Sequence, residues 1–228
     1  MLLSIVIPVF NEKKTILQIL KKIDDLDSKL NRELIIVDDG STDGTRDILD
    51  TLRSRKDVKV IFKEKNSGKG DSLKIGFKES KGDYVIVQDA DLEYEPKDYF
   101  LLLGKITDSS KTVVYGSRFM GKYKDMSSLH YYGNKFLTLV TNILYGVVLT
   151  DMETCYKLFP GNFIRKLKLK ANRFDFEPEI TAKICKAGYK IIEVPIHYYG
   201  RKHSEGKKIT WKDGFNAIYS LLKYRLYD

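Results

Sequence analysis

The chain has 228 residues, 43% hydrophobic and 31% charged, which excludes an intrinsically disordered polymer and suffices for one sizeable core. Its formal charge of +9 predicts a polyanionic partner: a nucleotide, a phospholipid surface or nucleic acid. The longest apolar stretch, Phe136 to Thr150, stops short of the roughly 18 residues of a membrane span, which excludes a bilayer-crossing segment of the usual kind.

Leu2 to Phe10 (LLSIVIPVF) is almost uninterruptedly apolar, the pattern of a parallel strand covered on both faces. Asn11-Glu12 is predicted to open a helix that buries Ile16, Ile19, Leu20 and Ile23. Glu33 to Asp39 is a second buried strand. The turn Gly40 to Thr45 follows, with Ser41 or Asp43 as candidate cap of the next helix. Val58 to Phe62 is a third strand. Asn66-Ser67-Gly68-Lys69-Gly70 reads as a flexible loop leading into a helix through Leu73, Ile75 and Phe77. The β-branched run Tyr84-Val85-Ile86-Val87 is a fourth strand, and Gln88-Asp89-Ala90-Asp91-Leu92-Glu93 follows it directly.

This β-α repetition predicts an α/β fold, an open, mostly parallel sheet flanked by helices, with ligands at the carboxyl ends of the strands. Phe10-Asn11-Glu12, Asp38-Asp39 and Asp89-x-Asp91 all fall at such ends. Past residue 96 the repetition loosens. Strands are predicted over Thr112 to Gly116, Cys155 to Phe159 and Tyr189 to Ile196, and a polar loop follows Ser117-Arg118-Phe119. Phe176 to Ala187 is predicted helical. So is His130 to Val148, with Tyr131, Phe136, Leu139, Val140, Ile143 and Leu144 as its apolar positions. The last segment, Trp211 to Tyr227, puts Phe215, Ile218, Tyr219, Leu222 and Leu226 on one broad face among Lys212, Lys223 and Arg225. Packing on the core or another subunit and lying in a membrane interface stay open for it. The expected division is therefore a catalytic domain over residues 1–208 and an amphipathic helix over 209–228.

Two carboxylates spaced i, i+2 just past a strand end can reach one divalent ion, and hard cations such as Mg²⁺ or Mn²⁺ favour oxygen ligands. Asp89 and Asp91 are the candidate ligands; Glu93 is a third ligand or the holder of a metal-bound water. Other phosphate-binding signatures fail. No Gly-x-Gly-x-x-Gly follows the first strand, and Gly70 stands where a P-loop needs Ser or Thr. A nucleic-acid module is disfavoured because the basic residues are dispersed and no recognised motif occurs. Cys155 and Cys185 form no metal or redox motif and, with no secretory signal at the start, read as reduced thiols. A cytoplasmic protein is expected, with peripheral contact to the cytoplasmic membrane face left open.

Five motifs in order resemble the family 2 glycosyltransferases of GT-A fold: Ile7-Pro8-Val9-Phe10-Asn11-Glu12, Val37 to Thr45, Asn66 to Gly70, Asp89-Ala90-Asp91-Leu92 and Gly116-Ser117-Arg118-Phe119. They are most similar to the dolichol- or polyprenyl-phosphate mannose and glucose synthase branch. The resemblance implies a nucleotide site lined by Pro8, Phe10 and Glu12, with Asp39 contacting the base and Lys69 near it. A carboxylate at Asp39 accepts a ring N–H from uracil or guanine alike, so UDP and GDP sugars both stay open. It further implies that Asp89, Ala90 and Asp91 hold a Mg²⁺- or Mn²⁺-bridged diphosphate. Mannose synthases often carry Gln where this chain has Glu93. A basic loop carrying Arg201, Ser204 and Lys207 is expected to close over the donor and acceptor phosphates.

The implied chemistry is an inverting transfer of a hexose from a nucleotide sugar to a polyprenyl or dolichyl phosphate. A lipid phosphate, with a second pKa near ~6, is a nucleophile without help from a base. Catalysis then asks for Asp91 to hold the metal and for Arg118 and Arg201 to hold phosphates. A saccharide or protein hydroxyl as acceptor would need a base, with Asp151, Glu153, Glu177 and Glu179 as candidates. A nucleotidyltransferase is a more distant alternative.

Overall fold

In the computed structural model, which describes residues 1–106, 111–173, 175–201 and 211–227, seven strands form one sheet in the order β3-β2-β1-β4-β6-β5-β7. The strands are β1 (Leu3–Val9), β2 (Arg32–Asp38), β3 (Val58–Phe62), β4 (Tyr84–Val87), β5 (Thr112–Lys124), β6 (Lys157–Pro160) and β7 (Lys190–Tyr199). β1 pairs in parallel with β2 and β4, β2 with β3, and β5 with β7. Only β6 runs against its neighbours β4 and β5. The expected mostly parallel α/β sheet is therefore present, with one reversed strand.

The apolar runs become central strands because both faces of the sheet are covered. Leu3, Ile5, Val6 and Ile7 of β1 and Leu34 to Val37 of β2 have no exposed surface. Burying each such side chain contributes on the order of 1.5–3 kcal/mol, so the stretch cannot lie at an edge without forfeiting that. Helices α1 (Ile16–Asp24), α2 (Thr45–Thr51) and α3 (Lys69–Glu79) connect the first four strands. α1 buries the four residues its periodicity marked, Ile16, Ile19, Leu20 and Ile23. It starts later than expected, because residues 11–14 brace neighbouring loops instead.

The second half contains α4 (Tyr99–Leu103), α5 (Ser128–Tyr145), α6 (Gly161–Ile164), α7 (Phe176–Lys186) and α8 (Trp211–Leu226). β5 runs eight residues past the expected end at Gly116, with a register irregularity between Ser117 and Lys122. The apolar positions of α5 divide. Leu137 turns inward, whereas Leu129, Tyr132, Phe136, Leu139 and Ile143 are 55–79% exposed. α8 divides likewise. Ala217, Ser220, Leu221 and Tyr224 are buried, while Phe215, Tyr219, Leu222 and Leu226 face solvent. Between the two helices lies a small second core of Leu137, Leu149, Met152, Ala217 and Leu221. α8 thus packs on the body of the protein through a face other than its predicted apolar one.

Candidate active site

The reversed strand decides where chemistry can gather. Because β6 is antiparallel, its entry, Glu153 to Cys155, lies at the same sheet edge as the carboxyl ends of β1, β2 and β4. A cavity of about 880 Å³ opens along that edge, within the range of small-molecule sites.

The loops after β1 and β2 are cross-braced. Asn11 sits at φ 55, its N–H donates to Ser41 Oγ at 2.9 Å, and its Oδ1 accepts from Thr42 N–H at 2.8 Å. Ser41 therefore does not cap α2. Asp43 accepts from the N–H of Thr45, and Gly44 (φ 92) occupies the cap position without a side chain to offer. Asp38, fully buried, accepts from the N–H groups of Gly40 and Ser41 and pairs with Arg46 at 3.2 Å. Its carboxylate is thus taken up by groups that hold the turn after β2. Asp39 lines the cavity with Pro8, Phe10 and Glu12. Its two oxygens also accept from Ser67 N–H (2.9 Å) and Gly68 N–H (2.8 Å), and Lys63 pairs with it at 2.5 Å.

The Gly68-Lys69-Gly70 stretch is not the flexible loop its composition suggested. A Cβ on Gly68 (φ 102) would stand 2.3 Å from the Asn172 carbonyl, and one on Gly70 would stand 2.8 Å from that of Ala171. These glycines permit a close backbone approach, sealed by Asp71 N–H donating to Asn172 O at 3.1 Å. Lys69, expected beside the base, instead reaches Asp89 at 2.9 Å and Glu177 at 3.3 Å.

The turn after β4 rests on Gln88, which is fully buried and accepts from the hydroxyls of Tyr99 and Tyr156. Leu92 is held at φ 67, a strained conformation for a bulky side chain. Asp91 Oδ2 lies 3.0 Å from Arg201, whose guanidinium also contacts Glu12 at 2.9 Å. Burial first, then the charges of Asp89 and Glu93, push the Asp91 carboxyl up to about 7 against the pull of Arg201. Glu93, expected as a third metal ligand or the holder of a metal-bound water, is already engaged by protein groups. Its oxygens accept from Tyr198 OH at 2.8 Å and Arg201 N–H at 2.7 Å. Among the described residues, no three His, Cys, Asp or Glu side chains form a ready metal cage. The donor set does fit an ion held by one or two carboxylates and completed by phosphate, the usual arrangement of Mg²⁺. Asp91, half-buried beside Asp89 and Glu93 with Arg201 as its cation, is the residue that suits it, with Asp89 as the second.

Arg118 also lines the cavity, but it is not a loose cation. Nε and Nη2 grip Asp151 at 2.7 Å each, and the guanidinium lies 5.3 Å from the Tyr198 ring centre. Burial opposes its charge, but Asp151 outweighs this and holds Arg118 well above the ordinary arginine range. Of the four candidate bases, Asp151 is consumed by that pair. Glu179 is consumed by the N–H groups of Lys170 and Ala171 and by Lys183 at 2.8 Å. Glu153 and Glu177 alone of the four line the cavity. Ala90 lines it too, whereas Ser204 and Lys207 lie outside the described residues.

Sequence reasoning missed the far wall. Met126, Leu129, His130 and Leu137 from α5 and its approach, with Ala217 of α8, give this cavity an apolar side. A separate apolar stripe on α5, Leu129, Tyr132, Phe136, Leu139 and Ile143 at alternating spacings of three and four, meets this wall at Leu129 alone.

Several known proteins are similar to this chain. A dolichol-phosphate mannosyltransferase of Pyrococcus furiosus is 29% identical over 98% of this chain and 64% of its own length. A UDP-N-acetylglucosamine–dolichyl-phosphate N-acetylglucosaminyltransferase of Methanococcus voltae is 28% identical, covering 99% of this chain and 96% of its own. Glucosyl-3-phosphoglycerate synthase of Mycobacterium tuberculosis, solved with Mn²⁺, uridine diphosphate and glucosyl-3-phosphoglycerate, superposes with a TM-score of 0.73 at 20% identity, over 97% of this chain and 79% of that one. That likeness establishes the GT-A-like fold. The model of the family described as "Glycosyl transferase family 2" matches residues 4–167, the span holding β1 to β6 and both acidic turns, and the chain belongs to that family.

Proposed function

We propose that this protein transfers a hexose from a nucleoside-diphosphate sugar to a polyprenyl or dolichyl phosphate at a membrane surface. One observation carries the choice of acceptor. The cavity has a charged side, Asp89, Asp91, Arg118 and Arg201, and an apolar wall that includes Leu129, the first residue of the exposed stripe of α5. An acceptor with an anionic head and a hydrocarbon tail matches both. Exposed Tyr123 and Tyr132, in a ring cluster with Phe119 and Tyr131, sit beside Lys122 and Lys124. Amphipathic rings and basic side chains suit a headgroup region. The names of the two lipid-phosphate transferases point the same way.

A divalent Mg²⁺ or Mn²⁺, held by Asp91 with Asp89, would supply Lewis-acid neutralisation of the departing diphosphate. The chain's own residues do the rest. Pro8, Phe10 and Asp39 frame the base, and Lys69 brings positive charge to the turn after β4. Arg201, parked on Glu12 and Asp91, is exchanged onto phosphate when the donor enters, because phosphate oxygens offer the same charge-assisted contacts. Arg118 stays charged through Asp151 and faces the same cavity. The lipid phosphate then displaces the nucleoside diphosphate with inversion, and no side chain has to remove a proton from it.

Transfer to a saccharide or protein hydroxyl is the competing reading, and the burial of Glu153 and Glu177 in the cavity wall is what favours it. Radiolabelled UDP-glucose or GDP-mannose supplied with short-chain polyprenyl phosphate, beside a panel of free saccharides, separates the two. Label is expected in the organic-extractable fraction. Label moving only to saccharides would overturn the lipid-phosphate acceptor.

A further inference from the structure

Two acidic side chains in the cavity wall have no work assigned to them by the transfer to a phosphate. Glu177, 5% exposed, has one oxygen 3.3 Å from Lys69, while its Oε2 is buried without a hydrogen-bond partner. Glu153 likewise has a buried Oε1 with no partner. A buried acceptor left unpaired costs on the order of 1–3 kcal/mol. Two of them in one wall of one cavity point to donors supplied by what binds there.

Their place along the sheet identifies which part of the ligand that is. Across β2, β1 and β4 the cavity presents Asp39, then Pro8 and Phe10, then Asp89 and Asp91. In the proposed function these hold base and diphosphate. The next strand in the sheet is β6, whose entry carries Glu153, and α7 brings Glu177 into the same cavity, where Lys69 links it to Asp89. The group that follows the diphosphate in a nucleotide sugar is the sugar. We infer that Glu153 and Glu177 form the donor-sugar subsite, accepting hydrogen bonds from hexose hydroxyls and rejecting sugars that carry a carboxylate.

The chemistry of the pair supports the selectivity. Their neighbour Lys157 is fully buried and donates to the Met152 carbonyl at 3.0 Å, so it does not neutralise them by direct contact. Hydroxyls can donate to both free oxygens. A uronate carboxylate replaces a donating hydroxyl with acceptors and brings a negative charge to the side of Glu177, whose buried Oε2 can only accept. Discrimination by mismatched buried polar groups is stronger than discrimination by shape alone.

This inference rests on the nucleotide-sugar part of the proposed function, and it can be tested without an acceptor. Calorimetry with UDP, UDP-glucose and UDP-glucuronate, and with GDP and GDP-mannose, is run on the wild type and on Glu153→Ala, Glu177→Ala, Glu153→Gln and Glu177→Gln. Melting curves check the fold, and the Gln variants keep side-chain size where an Ala variant loses stability. The Ala variants are expected to weaken hexose-nucleotide binding about tenfold relative to the nucleoside diphosphate, the loss of one charge-assisted hydrogen bond. The wild type should bind UDP-glucuronate at least about tenfold more weakly than UDP-glucose, and the Gln variants should narrow that ratio. An unchanged ratio of sugar-nucleotide to diphosphate affinity in every variant would overturn the subsite. So would lost transfer with sugar binding intact, which would place the pair on the acceptor. A wild type that binds no nucleotide would remove the underlying reading and this one with it. Label found only on saccharides in the transfer assay would remove the lipid acceptor and leave this subsite standing.

Discussion

The wall of the cavity built by β1 to β4 and the wall built by β6, α5, α7 and α8 differ in how completely the protein satisfies them. In the first, acids meet donors from the same half. Asp38 takes two backbone N–H groups and Arg46, and Asp39 takes two N–H groups and Lys63. In the second, Glu153 and Glu177 keep unpaired oxygens, and two helices keep apolar stripes in solvent. A region closed on itself can be specified by local motifs and reused unchanged. A region left incomplete must be finished by what binds to it. On the proposed function, the closed half takes the nucleotide and the incomplete half takes sugar and acceptor. Asp91 bridges the two, since its cation, Arg201, arrives from the end of β7.

Four experiments would break or sharpen this contrast. The largest effect is expected at the bridge. Asp91→Asn should cut transfer by about 10²–10³-fold with little change in melting temperature, as loss of one electrostatic anchor of the departing group does. It should also erase any gain in nucleoside diphosphate affinity on adding Mn²⁺. Equal affinity with and without Mn²⁺ in the wild type would sink the metal assignment. Next comes the closed half. Asp38→Ala strands two backbone N–H groups and Arg46 and should cost roughly 2–3 kcal/mol, lowering the melting temperature by about 5–10 °C. A stable variant with lost activity would instead make Asp38 part of the chemistry.

The open half should respond the other way. Leu139→Glu with Ile143→Glu, at positions 55% and 73% exposed, should leave folding intact and weaken binding to anionic vesicles about tenfold or more. Unchanged sedimentation with vesicles would detach α5 from the membrane. The smallest effect is a pH dependence. Burial, and then Glu177, raise the Glu153 carboxyl from 4.5 to about 8 against the pull of Lys157. The folded protein then holds a proton that the unfolded chain has released, so Glu153 makes stability fall as pH rises from about 4.5 to about 8. Glu153→Gln should melt at a temperature that gains on the wild type across that window and stays level above it. A constant gap would show that the carboxyl titrates normally.

Much of the first half was legible in the chain. The buried strands, the helix through Ile16 and Ile23, and the gathering of Phe10, Asp39 and Asp91 at one edge all follow from runs and turns adjacent in sequence. What resisted reading was pairing at a distance. Nothing local says that Arg118 is bound by Asp151, or that Glu93 is spent on Tyr198 and Arg201 across more than a hundred residues. The glycines at 68 and 70 looked like freedom and are close contacts, because their partner, residues 171–173, lies in a segment with no motif of its own. The exposure of the α5 stripe was not legible for another reason. Its spacing is that of a helix with an apolar face, and spacing does not tell whether core or lipid covers that face.

The two exposed stripes have a consequence for the protein in a test tube. Residues such as Ile143 at 73%, Leu226 at 69% and Val148 at 93% exposure form an apolar surface with no cover among the described residues. Water disfavours that surface whether or not a bilayer is present, so in plain buffer another copy, a detergent micelle or a vessel wall becomes the cover. Apparent particle size should therefore climb with concentration and fall back on adding mild detergent. An oligomeric state measured without detergent will then describe the colloidal behaviour of α5 and α8.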